Sequence, residues 1–167
     1  MNALSEGLAG EAASQEDALG LPWLVADVGG TNARFGWVAR AGAAVQHVRT
    51  LPTADHAGPA EAAAAYLAGL AQDLGSPASP RRAALAVATA VQGDEVRLTN
   101  SAWQFSRRTL QQAMGLDTLL VLNDFEALAL SLPRLQAVQL RPWGQPLQAP
   151  QGTLAVIGPG TGLGVAG

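Results

Sequence analysis

A chain of 167 residues with 13 acidic against 10 basic side chains, a net charge of −3 and a pI near 5.2 has room for one compact domain or a domain plus part of a second. It has no cysteine, which excludes a disulfide framework, a thiolate nucleophile and a sulfur-bound zinc site, and which agrees with a reducing cytoplasm. Every basic residue is arginine, scattered except for Arg81-Arg82 and Arg107-Arg108, so lysine-dependent chemistries are removed and no basic footprint exists for nucleic acid or an acidic membrane surface.

Residues 1–20 carry acidic side chains but no Arg or Lys, lack the charged start and apolar stretch of a secretory signal, and read as a mobile tail. No apolar run approaches the roughly 18 residues needed to span a bilayer. The apolar strand Trp23 to Val28 breaks at Gly29-Gly30-Thr31-Asn32 and strand composition resumes at Arg34 to Val38, a hairpin pattern. Ala41-Gly42 marks another turn and Val45 to Leu51 a third strand, so residues 22–51 are expected to form an antiparallel meander. A helix follows over the Ala/Leu-rich stretch Glu61 to Leu74, with Pro59 in its first turn and Gly75 at its end.

The short apolar segment Ala83 to Val91 predicts a buried strand, and Gly93-Asp94 predicts that it turns back onto a partner over Glu95 to Thr99. Ser106 caps a predicted helix reaching Met114, with Gly115 as its stop. Thr118 to Leu122 reads as a fully buried strand ending at Asn123-Asp124, where a helix over Phe125 to Leu132 begins and Pro133 stops it. The Pro/Gln/Gly-rich stretch Arg141 to Gly152 reads as a linker, and a last strand, Leu154 to Ile157, enters the glycine-rich run Gly158 to Gly164.

Polar residues gather at three strand ends. In the first, two glycines free the backbone of Asp27 to Asn32 to turn its N–H groups toward an anion, Thr31 and Asn32 add side-chain donors, and an ordinary hairpin turn is the plain alternative. Gly30 is expected at a close backbone approach to phosphate or at positive φ. A carboxylate inside an apolar strand needs a partner when buried, and Mg²⁺ carried by a nucleotide would partner Asp27. In the second, Asp124 ends an aliphatic strand, where it caps the helix, serves as general base for a sugar or alcohol hydroxyl that Asn123 orients, or does both. The third offers another anion-binding loop around Thr161; its overlap with a GxGxxG pattern at 162–167 is a chance match in a glycine-rich chain. His47 and His56 lack metal-ligand spacing, and Trp23, Trp37, Trp103 and Trp143 are too dispersed for a stacking platform.

Taken in order, ADVGGTNARFGWV, GDEVRLTNSAW, VLNDFEALALSLP and IGPGTGLG resemble the bacterial glucokinase family, within the sugar kinase/hexokinase/actin-like ATPase superfamily, over residues 22–167. The resemblance implies an α/β fold of the ribonuclease H-like type, with a mixed sheet opening on the meander and helices on its faces. It implies that residues 21–134 form the small domain and 135–167 the start of the large one. It further implies ATP and Mg²⁺ as cofactors, glucose phosphorylated at its 6-hydroxyl, a cytoplasmic location and room for a homodimer. Ala26, Asp27, Val28, Gly29, Gly30, Thr31 and Asn32 would form the first phosphate loop, with Asp27 reaching Mg²⁺ through water. Gly160, Thr161 and Gly162 would form the second. Asp124 would be the catalytic base, and Asn100 and Asn123 would hold sugar hydroxyls beside it.

Two departures stand out. The family's proline is absent from Ala88-Thr89-Ala90-Val91, which changes the local loop shape. The family's Glu-Gly-Gly-His segment, which completes the sugar site, would fall after Gly167, so the isolated chain is expected to be inactive. A sugar-responsive regulator would need a helix-turn-helix, for which residues 1–20 are too short and too acidic; a catalytically dead binding or interaction domain of the same fold is the rival reading.

Overall fold

The computed structural model describes residues 22–144, 152–159 and 163–167. The tail read at 1–20 and the loop residues Gly160, Thr161 and Gly162 lie outside the described residues. Strands β1 (Trp23–Val28), β2 (Asn32–Val38) and β3 (Gln46–Pro52) form the expected meander. Helix α1 (Pro59–Leu74) leads to β4 (Arg82–Val87), the short strands β5 (Glu95–Arg97) and β6 (Gln104–Ser106), and helix α2 (Arg107–Ala113). Strand β7 (Thr118–Asn123), helix α3 (Asp124–Ser131) and the hairpin β8 (Val156–Pro159) and β9 (Leu163–Ala166) complete the described elements. The main sheet has five strands in the order β3-β2-β1-β4-β7, with β4 parallel to both β1 and β7.

One face of that sheet makes the core. The period of two along β1 buries Leu24, Ala26 and Val28, and the same alternation on the neighbouring strands adds Phe35, Leu85, Val87 and Val121. Helix α1 lies against this face through Ala62, Ala63, Tyr66 and Leu70, the spacing of one helical stripe. The Tyr66 ring stacks on Phe35 with centroids 5.4 Å apart, a pair worth about 0.5–1.5 kcal/mol beyond the area it buries. The Tyr66 hydroxyl donates to the His47 carbonyl at 3.1 Å, and burial pushes its acidity weaker than usual. Pro59 presets the first turn of α1, and Gly75 ends it in the left-handed region at φ 64°.

Several expectations need correction. Helices were expected on the sheet's faces, yet among the described residues the opposite face stays largely open, with Val48 54% and Leu120 45% exposed. The strand predicted to reach Val91 stops at Val87 because β4 is an interior parallel strand whose chain leaves the sheet once its neighbours end. Its predicted hairpin partner pairs elsewhere: β5 runs antiparallel to β6, so the Gly93-Asp94 turn opens a separate small sheet. The strand before the last glycine run pairs with β9, and its hairpin packs on α3. That pairing also places residues 163–166 in a strand where a dinucleotide fingerprint needs a helix. Trp37 and Trp103 are buried and Trp143 is fully exposed. No helix among the described residues is long and apolar enough to cross a membrane.

Ser106 caps α2 as the sequence suggests, accepting the Thr109 amide at 3.0 Å. Its hydroxyl donates to Asp94, which also accepts the Arg108 amide at 3.0 Å; these bonds hold the Asp94 carboxyl below the usual carboxylate range. A depressed native value adds stability above the unfolded value near 3.8 and loses it as pH falls through the lower folded value. Urea midpoints measured from pH 5 down to pH 2 should therefore fall less steeply in Asp94→Asn than in the parent chain; parallel curves would contradict this role.

Candidate functional site

Because β1, β4 and β7 run parallel with Val28, Val87 and Asn123 in register, their carboxyl ends share one edge of the sheet. Ligands of open α/β sheets sit at that edge. The loop after β1 is closed by the Gly29 amide donating to the Asn32 carbonyl at 2.9 Å. Among the described residues, neither the Gly30 nor the Thr31 amide has a backbone acceptor, which leaves both N–H groups available to an anion. Ala26 and Val28 are buried in the core, so they can take part only through their backbone, whereas Thr31 and Asn32 are exposed.

Two expectations for this loop change. Asp27 is exposed on the open sheet face and not buried in the strand, because the alternation of β1 turns its neighbours Ala26 and Val28 inward. It stands across from Arg34 of β2, an opposite-charge cross-strand pair. Gly30 does not adopt positive φ, and the close approach that demands glycine is to Asn100: a Cβ built on Gly30 would lie 2.6 Å from both the Asn100 Cβ and its carbonyl oxygen. Gly30→Ala should consequently destabilise the fold by about 1–3 kcal/mol in urea titrations, the usual cost of overpacking against backbone that cannot move away. An unchanged midpoint would place the two loops further apart than this.

At the end of β7 the division of labour is clear. Asn123, not Asp124, is the N-cap of α3: its Oδ1 accepts the Phe125 amide at 3.0 Å, and Glu126 reaches back to the Asn123 amide in a capping box. The Asn123 Nδ2 donates to the Thr89 carbonyl at 3.1 Å and so fixes the loop after β4, while its second N–H remains over for another acceptor. Asp124 becomes the first residue of the helix, half-buried, with Oδ1 accepting the Phe125 amide at 2.9 Å and Oδ2 free of hydrogen bonds among the described residues. Asp124 lines a cleft of about 620 Å³ between the loop at 88–92 and the hairpin β8–β9. Such a carboxylate can take a proton from a hydroxyl held in the cleft.

Asn100 lies apart from these two. It lines a second hollow of about 330 Å³ with Gly30, Thr53, His56 and Trp103, beside the first glycine loop. Asn123 and Asp124 belong to the larger cleft, so the structure joins Asn100 to the β1 loop and Asn123 to the loop after β4. Among the described residues no three His, Cys, Asp or Glu side chains group to hold a metal ion. The hairpin glycines have a structural cause as well: a Cβ on Gly164 would collide with the Phe125 ring, and one on Gly158 would press it at 3.3 Å. Sequence reasoning misses Phe125, Thr89 and Thr53; no local pattern marks Thr53, while Phe125 follows Asp124 directly within the segment VLNDFEALALSLP.

The family model described as "Glucokinase" matches residues 24–167. A glucokinase of Aromatoleum aromaticum is 50% identical over 146 residues, covering 87% of this chain and 43% of that protein. One from Ralstonia nicotianae is 43% identical over 153 residues, covering 92% of this chain and 44% of its own. Among solved structures, a glucokinase from an Antarctic psychrotroph superposes with a TM-score of 0.75 at 37% identity, over 86% of this chain and 45% of that one. A glucokinase of the ROK family from Streptomyces griseus, in complex with glucose and AMPPNP, matches at a TM-score of 0.58 and 23% identity, over 87% of this chain and 43% of that one, and shares the fold. The chain spans less than half the length of the relatives it matches here.

Proposed function

The chain belongs to the glucokinase family, and from that premise we propose that it supplies the catalytic base and the first phosphate loop of a cytoplasmic enzyme that transfers the γ-phosphoryl group of ATP to the 6-hydroxyl of glucose. The observation that carries this reading is Asp124. Asn123 caps the helix in its place, so a carboxylate with one unengaged oxygen faces a cleft at the carboxyl edge of the sheet. The strand order, three antiparallel strands continued by two parallel ones, supports a ribonuclease H-like small domain over residues 21–134, with β8 and β9 opening the large domain.

In this mechanism the amides of Gly30 and Thr31 hold nucleotide phosphate, together with the loop at Gly160, Thr161 and Gly162. Asn123 directs its remaining N–H at a sugar hydroxyl, and Asn100, in the neighbouring hollow beside the first glycine loop, holds another. Asp124 accepts the proton of the 6-hydroxyl as its oxygen bonds to the γ-phosphorus and the bond to the ADP oxygen breaks. Positioning supplies most of the rate gain. The exposed Asp27 carboxylate beside the loop is the residue that would reach, through water, a magnesium ion held chiefly by nucleotide phosphates. When bound it would neutralise phosphate charge.

The test is a full-length enzyme made by joining this chain to the C-terminal portion of the Aromatoleum aromaticum glucokinase. A coupled assay should detect ADP production that requires glucose. A folded, monodisperse joined enzyme without glucose-dependent turnover would instead support a binding or interaction domain.

A further inference from the structure

Thr53 is the single buried polar side chain among the described residues, 4% exposed, and it lies outside the polar loops that follow β1 and β7. It follows β3 in a short 3-10 turn, Thr53–Asp55. Its hydroxyl donates to the Gly30 carbonyl at 2.8 Å, and its amide donates to the Thr31 carbonyl at 2.9 Å. Its own carbonyl accepts the Trp103 indole N–H at 3.1 Å, a donor shared with the His56 carbonyl at 2.9 Å. Trp103 is 2% exposed and ends the loop that begins at Asn100, whose backbone presses on Gly30.

We infer that Thr53 is a positioning residue that locks the first phosphate loop and the Asn100 loop into one body, so that nucleotide and sugar contacts are set together. A valine would fill the same volume without the hydroxyl, and a buried hydroxyl is retained in a core only when its hydrogen bond is made. Here that bond fixes the carbonyl between the two amides expected to face phosphate. The Trp103 indole fixes the carbonyl of Thr53 itself, and the contact of Gly30 with Asn100 closes the ring of interactions. The coupling is structural; its meaning for catalysis rests on the function proposed above.

The test compares Thr53→Val, which removes the hydroxyl at constant shape, with Thr53→Ser, which keeps it, and with Trp103→Phe, which removes the indole donor. In the 167-residue chain, exchange of the hydrogen-bonded amides that hold the two loops, Gly29 in the first and Trp103 in the second, should rise about tenfold in Thr53→Val and Trp103→Phe, as expected for loss of one net hydrogen bond. Amides of α1 and β7 should hold their rates, and Thr53→Ser should restore both loops. A uniform rise across the chain, or a rise in one loop alone, would overturn the coupling. In the joined enzyme, Thr53→Val should raise KM for ATP and for glucose together, with a smaller change in kcat, and Thr53→Ser should rescue both; a change in one KM alone would overturn the link to catalysis. If the joined enzyme does not phosphorylate glucose while both loops loosen together, the coupling stands and the functional reading falls.

Discussion

The isolated 167-residue chain should produce no ADP above background when given ATP, magnesium and glucose. Phosphoryl transfer needs the attacking hydroxyl, the γ-phosphorus and the base held together in a water-poor cleft, and about 7–11 kcal/mol of barrier reduction can depend on that geometry. In this chain the two hollows at the sheet edge are open: Asp124 is half-buried, and Thr31 and Asn32 are exposed. The relatives it matches are about twice as long. The hairpin strands β8 and β9 also leave Ile157, Leu163 and Val165 exposed, an apolar edge that favours association. A coupled assay on monodisperse protein decides the matter. Turnover by the isolated chain that disappears in Asp124→Asn would show that one wall of the cleft is enough.

In the joined enzyme, Asp124→Asn should lower kcat by roughly 10²-fold or more while KM for glucose changes much less. The amide keeps the size of the carboxylate and can still accept the Phe125 amide, so the start of α3 is preserved. What it loses is the ability to take a proton as the hydroxyl attacks, a loss felt in the transition state and not in the ground state. Asn123→Ala should behave differently. It removes the N-cap of α3 and the bond to Thr89, so both stability and the shape of the cleft suffer. Equal loss of kcat and of stability in Asp124→Asn would assign that residue a capping role after all.

Much of the scaffold was legible because local rules and tertiary packing agree there. The meander from Trp23 to Pro52 follows from apolar runs separated by glycine turns, and α1 from an Ala/Leu stripe with Pro59 at its start and Gly75 at its end. Ser106 is legible as a cap because its hydroxyl serves the helix that follows it directly. Pairing was harder to read. Strand β6 has three residues, too few to show a period, so the sequence pattern points β5 at β4, the nearest apolar strand in sequence. At the site, Asn123 and Asp124 are both good caps, and only the bonds to Phe125 and Thr89 separate their roles. Asp27 sits in an apolar run whose composition does not say which face is covered, and the described residues cover only the face that holds Ala26 and Val28. The demand for glycine at position 30 arises from Asn100, a contact between distant segments that no local pattern encodes.

The central claim, that the shared carboxyl edge of β1 and β7 receives nucleotide and sugar, is tested most directly by mapping amide resonances of the 167-residue chain during titration with magnesium–ATP and then with glucose. Nucleotide should shift Gly29 to Asn32, and glucose should shift Asn123 to Glu126 together with Thr89. Shifts confined to α1 or to the open sheet face around Val48, with Gly29 to Asn32 and Asn123 to Glu126 unmoved at saturating ligand, would contradict it.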